Sequence, residues 1–304
     1  MTAPSPIPVL WINLRRCVQR RRRMEWALAS GGWIHQRVEA IDARDPAFRF
    51  LAVPDPFRRG TWFPGVRRLE ERHPLRRTTR SELACSASWR LALWMAADAM
   101  ERHGIEQVLV LEDDAGACMA APHAWPFALD EVVAAADRES THCGIPWTLI
   151  QLAPTHAGVR RQLHQQWKTF GSSALLPHKE EIRSHGNSAV LVHRRALTHL
   201  AFSRAPDPSA RLQWLRHPWP VRPVADKWIY ALMPARSVRV LAFPLFCPDA
   251  SGSQLHPADV VQFHHPARTA TLDLWRNDGL DALLDAQGQW DAIGESDETA
   301  GKPQ

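Results

Sequence analysis

Three consecutive acids, Glu112, Asp113 and Asp114, close the apolar run Val108 to Leu111. Packed carboxylates repel one another, and desolvating them is costly unless a cation compensates. A divalent metal would do so, and hard oxygen ligands suit Mg²⁺ or Mn²⁺. A solvated acidic turn is the competing reading. Other residue types could do chemistry further along. Asp226 opens an expected helix, either as a plain cap or as a catalytic base. Arg20 could reach an anionic group, or be one of four solvated arginines, Arg20 to Arg23. Ser88 reads as a ligand or a helix-packing serine. Asn187 stands beside a strand start, where its amide could donate to a ligand. His256, His264 and His265 could complete a metal site or lie on the surface.

Elements must position these groups. A short, wholly apolar run such as Val108 to Leu111 reads as a strand buried on both faces, typical of parallel sheets. Acids after its carboxyl end sit where open α/β sheets bind ligands. Pro8 to Leu14 reads as a first strand, Arg15 to Ala29 as a helix stopped by Gly31-Gly32, and Trp33 to Ile41 as a second strand. That is a βαβ opening, and it carries no G-x-G-x-x-G fingerprint. Thr79 to Arg102 should be a long helix with Ser81 as its cap. Further helices are expected at 125–136, 194–202 and 226–233, and strands at 147–152, 188–193 and 238–245. Residues 155–186 show no clear periodicity. Residues 45–80, with nine arginines and five prolines, read as a basic insertion. Residues 1–280 are expected to form one domain, and 281–304 a polar, disordered tail.

Composition bounds the class. The 304 residues are 45% hydrophobic and 23% charged, and no window is apolar enough to span a bilayer. No secretory signal is visible, and five cysteines without a CxxC pair favour reduced thiols, hence a cytoplasmic setting. Residues 1–90 hold 18 arginines against 8 acids, while acids are in excess beyond them. Such a basic half could meet an anionic substrate, a membrane surface or nucleic acid. No nucleic-acid-binding module is recognisable, so nucleic acid is not the expected partner.

Several stretches in order resemble glycosyltransferase family 25. Ile12-Asn13-Leu14 with Arg20 and Met24 is similar to its I-N-L…R…M opening. Glu82 to Trp89 resembles its G-E-I-G-C-x-x-S-H, and Leu111-Glu112-Asp113-Asp114 matches its L-E-D-D. Gly186 to Ala196, Pro223 to Asp226, and Pro244 to Ser253 resemble later segments. Ala84 stands where the family has glycine, and Trp89 where it has histidine. The resemblance implies a GT-A-like α/β fold with a mostly parallel sheet. It also implies a hexose, galactose foremost, moved with inversion from a nucleotide diphosphate sugar to a lipooligosaccharide or other surface glycan. Site residues follow from it. Asp114 and Glu112 would hold Mn²⁺ or Mg²⁺. Asn13, Arg20, Ser88, Glu112, Asp113, Asn187 and Ser253 would bind the donor, and Asp226 would be the base. A degenerate relative that binds a glycan or partner without catalysis is the alternative, motivated by Trp89. A phosphohydrolase would need D-x-D after the first strand, which here ends Asn13-Leu14-Arg15-Arg16.

Overall fold

A computed structural model describes residues 7–46, 79–171, 173–182, 184–200, 224–249 and 260–295. The expected basic insertion lies almost wholly outside these residues, as do Ser253, His256 and the proline-rich stretch 206–223.

The opening is the expected βαβ unit. Strand β1 (Val9–Asn13) is buried throughout, helix α1 spans Val18–Ser30, and β2 (His35–Glu39) returns parallel to β1, with Val9 opposite His35. Strand β3 (Gln107–Glu112) lies parallel on the other side of β1, with Val9 opposite Leu109. With β4 (Leu149–Gln151), β5 (Ala189–His193) and β6 (Val238–Val240) the sheet has six strands in the order β2-β1-β3-β5-β4-β6. Only β5 runs against its neighbours. The fold is therefore mixed α/β around a mostly parallel sheet.

Helices cover both faces, as strands apolar on both sides require. Side chains alternate along each strand. Val9, Trp11, Leu109, Leu111, Ala189 and Leu191 join one core. Leu10, Ile12, Val108, Val110, Val190 and Val192 join the other. The second core is closed by α2 (Arg80–His103), α5 (Arg194–His199) and α6 (Ala225–Ala231). The first is closed by α1, α3 (Leu129–Cys143), α4 (Ala157–Thr169), α7 (His265–Asn277) and α8 (Asp281–Glu295).

Four expectations are corrected. The cap of α2 is Thr79, not Ser81: its hydroxyl accepts from the Glu82 amide while Glu82 accepts from the Thr79 amide. Reciprocal bonding of this kind satisfies two otherwise orphaned donors. Helix α3 starts at Leu129 and runs to Cys143, after two short 3₁₀ turns, Ala117–Ala120 and Pro122–Ala124. Residues 155–186 include helix α4, whose buried Arg160, Leu163, His164 and Trp167 form a helical stripe hidden by its polar content. The segment expected to begin a disordered tail is helix α8 as far as Glu295. Leu283, Ala286, Gln287 and Trp290 repeat every three to four residues and are buried. The polar residues around that stripe mask it in composition.

Candidate functional site

The three acids lie at the carboxyl end of β3, as their position in sequence implies, but they do not act as one row. The strand ends at Glu112, and Asp113-Asp114 form a turn. Alternation sends Glu112 to the α2 face and Asp113 to the α1 face. On the α1 face Asp113 accepts from Asn13 Nδ2 at 2.6 Å and pairs with Arg20 Nη1 at 3.0 Å. Asn13 is the last residue of β1 and Arg20 sits in the first turns of α1, so the βαβ unit itself delivers both donors. Burial pushes the Asp113 carboxyl above its usual range, and Arg20 and Asn13 oppose that. Burial alone would lower Arg20, but Asp113, Asp114 and Asp249 outweigh it and hold the guanidinium charged.

On the α2 face Glu112 Oε1 accepts from Trp89 Nε1 at 2.6 Å, with Cys85 Sγ 3.8 Å away. Burial, then the nearby Asp114, push the Glu112 carboxyl up to about 8, while the Trp89 bond pulls the other way. Trp89 is fully buried in the second core. It is a packing residue and a Glu112 donor at once, so a histidine there would leave a void as well as change the polar contact.

Asp114 is held by its backbone. Its carbonyl accepts from the Asp249 amide at 2.6 Å, and Asp249 forms a buried ion pair with Arg23 at 2.8 Å. Asp114 Oδ1 is itself buried and finds no partner. Gly116 follows in the same turn, where an added Cβ would lie 2.3 Å from Met24 Sδ and 3.1 Å from the Trp290 ring. The acid turn is thus packed directly against α1 and α8.

A cleft opens beside these groups, between the ends of β1 and β2 and the start of α2. It is lined by Ile12, Cys17, Arg20, Asp42, Ser88 and all three acids, among others. It encloses about 160 Å³, comparable with cavities that hold one benzene-sized ring. Ser88 serves the wall: its hydroxyl donates to the Ala84 carbonyl at 2.7 Å and accepts from the Ile41 amide at 2.9 Å. It ties α2 to the segment after β2 while lining the cleft.

Asp226 stands in the first turn of α6 and does not cap it, since Val224 occupies the cap position without a side-chain bond. Its Oδ2 lies 3.8 Å from His185 Nδ1. Its charge reaches Glu112, Cys85 and Tyr230, raising all three, so it belongs to the α2 face of the site. Asn187 is buried just before β5, and its Nδ2 has no partner. The ladder beside it continues into the acid motif, where the Glu112 amide donates to the Ser188 carbonyl at 2.8 Å. His264 and His265 lie where α7 begins. Among the described residues no group of three His, Cys, Asp or Glu side chains is arranged to hold a metal.

Sequence reasoning missed the layer beneath. Gly186 adopts φ +98°, and its carbonyl accepts from Tyr230 Oη at 3.0 Å and Gln151 Nε2 at 2.6 Å. Lys179 Nζ bridges Gln151 Oε1 and the Ser184 carbonyl, each at 2.7 Å, and lies 4.2 Å from the Tyr230 ring centroid. Tyr230 is the chain's single tyrosine, a signal that could have drawn attention to it. No family model matches this chain, and no curated protein matches it.

Proposed function

We propose that this chain is a hexosyltransferase of the family 25 type, built on a GT-A-like fold. It moves a sugar, galactose first among the candidates, from a nucleotide diphosphate donor to a surface glycan or glycolipid. One observation carries the reading. Asn13, Arg20 and Asp113 come from two separated motif-like stretches, and they meet in a single hydrogen-bonded cluster beside a cleft. Random likeness of short motifs does not require them to converge. The position of that cluster, at the carboxyl edge of parallel strands, is where open α/β sheets take nucleotides.

Two features of the acid turn support a divalent cation. Among the described residues Asp114 keeps a buried, unpartnered oxygen, and Glu112 carries a carboxyl raised by burial and then by crowding. Mg²⁺ commonly takes one or two carboxylates from protein and completes its shell with phosphate and water. Asp114 and Glu112 would hold Mg²⁺ or Mn²⁺, which would neutralise charge building on the departing diphosphate. Arg20 adds a fixed positive charge on the same side, itself held by Asp113. Asp226 accepts the proton of the acceptor hydroxyl as that oxygen attacks, consistent with inversion through one base. Asn187 offers its free amide N–H to a sugar hydroxyl. The reading places the protein in the cytoplasm, at the inner face of the membrane, where the arginine-rich first third would meet anionic lipid or glycolipid.

One observation favours a second reading, a non-catalytic binding relative. Trp89 fills the position of the family histidine with a buried indole that bonds Glu112. A panel of nucleotide sugars, tested by thermal shift and by donor hydrolysis with and without Mn²⁺, separates the two. Transfer or hydrolysis supports the enzyme, and Mn²⁺-dependent binding without turnover supports the relative. A flat response across the panel sinks both.

A further inference from the structure

The amino end of the sheet holds a second cluster, away from the acid motif. Cys143 ends α3, a few residues before β4 begins, whereas the acids follow the carboxyl end of β3. Its Sγ accepts from Arg239 Nη2 at 3.4 Å. Arg239 is the central residue of the edge strand β6 and is 1% exposed. Its Nη1 rests on the ring of His178, whose Nδ1 bonds the Arg236 carbonyl at 2.8 Å. Among the described residues its Nε has no partner, and its two Nη groups bond His178 and Cys143 rather than a carboxylate.

A buried guanidinium without a counter-charge is costly. Among the described residues the anionisable side chain that touches Arg239 is the Cys143 thiol, and ionising it would neutralise the pair. Burial would raise that thiol, but the Ile145 backbone and Arg239 outweigh it and bring it below its ordinary range. Cys143 also remains partly exposed, so a small reagent can reach it. The other four thiols differ: burial raises Cys17, Cys85 and Cys118, and pushes Cys247 up to about 12.

We propose that Cys143 is a reactive thiolate, held by the buried Arg239 guanidinium, that peroxides oxidise to a sulfenic acid. The sulfur attacks one peroxide oxygen. An S–O bond forms, the O–O bond breaks, and hydroxide leaves and takes a proton from solvent. Sulfur loses two electrons and the peroxide gains them. Low-pKa thiols in electropositive, accessible settings are the ones that react this way.

The test treats the whole protein with limiting iodoacetamide at pH 7 and reads each cysteine peptide by mass spectrometry. Cys143 should alkylate about tenfold faster than Cys17, its comparably exposed neighbour in kind. Arg239→Met removes the charge while filling the space, and should slow Cys143 to the rate of Cys17. Hydrogen peroxide followed by dimedone should label Cys143 in the parent protein. Equal rates at Cys143 and Cys17, an unchanged rate in a folded Arg239→Met protein, or no dimedone adduct at Cys143 would each overturn the proposal. If Arg239→Met does not fold, the two measurements on the parent protein decide. None of these readouts depends on sugar transfer.

Discussion

Three carboxylates in sequence become three different groups in space. Asp113 is paired, Glu112 is buried beside an indole, and Asp114 keeps an open oxygen. Each difference has a measurable consequence. Burial, then the nearby Asp114, push the Glu112 carboxyl from an ordinary 4.5 up to about 8. The folded protein therefore holds this proton more tightly than the unfolded chain does. The stability contributed is complete below about pH 4.5 and is lost as pH rises through 8. Without metal, the parent should lose roughly 2–4 kcal/mol relative to Glu112→Gln between those limits, read by urea melts across pH. Parallel pH profiles for the two proteins would contradict the burial of that carboxyl. Asp114→Asn should be at least as stable as the parent without metal, because one of the crowded charges is gone. It should show no Mn²⁺-dependent thermal shift with nucleotide sugar, whereas a shift equal to the parent's would remove Asp114 from the metal site. Asp226→Asn keeps shape and loses the proton acceptor. Donor binding should survive and turnover should fall by roughly 10² or more. Unchanged turnover would leave Asp226 with an electrostatic role only.

At the scale of elements, the acid turn is braced from behind. Helix α8 lays Trp290 against Gly116, and the Trp290 ring lies 5.9 Å from the Arg23 guanidinium that pairs with Asp249. Asp249 in turn holds the Asp114 carbonyl. Trp290 is 1% exposed, so Trp290→Ala should cost about 3–5 kcal/mol in chemical denaturation. A loss below about 1 kcal/mol would mean that α8 is only loosely docked. Beneath the other side of the site, Gly186 works through close approach. A Cβ there would lie 2.6 Å from Thr155 Cγ2, in a backbone conformation that side chains disfavour.

Over the whole molecule the charge is divided, with the arginine excess in residues 1–90 and an acidic excess beyond. Exposed charges act through a screened field. Reversing Arg67, Arg68, Arg76 and Arg77 should therefore weaken binding to anionic glycolipid vesicles, most of all at low salt. An unchanged affinity and salt slope would make those arginines a solvated surface without a partner. These four lie outside the described residues, and the expectation rests on their charge alone.

The sequence by itself determined where the strands lie. Apolar runs such as Val9 to Ile12 and Val108 to Leu111 can be buried on both faces only in a covered sheet, so their positions, and the acids at a strand end, were legible from residue type. Short-range pattern also placed α1, α2, α5 and α6 to within a few residues. It failed for α4 and α8, where a narrow buried stripe lies among polar residues and only docking against the sheet and α7 selects the helix. It could rank Asp113 and Arg20 as candidates but could not pair them, because that contact spans 93 residues and depends on β1 and β3 being neighbours. The unpartnered oxygen of Asp114 and the guanidinium behind Cys143 were decided by tertiary structure alone. Each depends on burial and on partners far away in sequence, and a linear pattern carries neither.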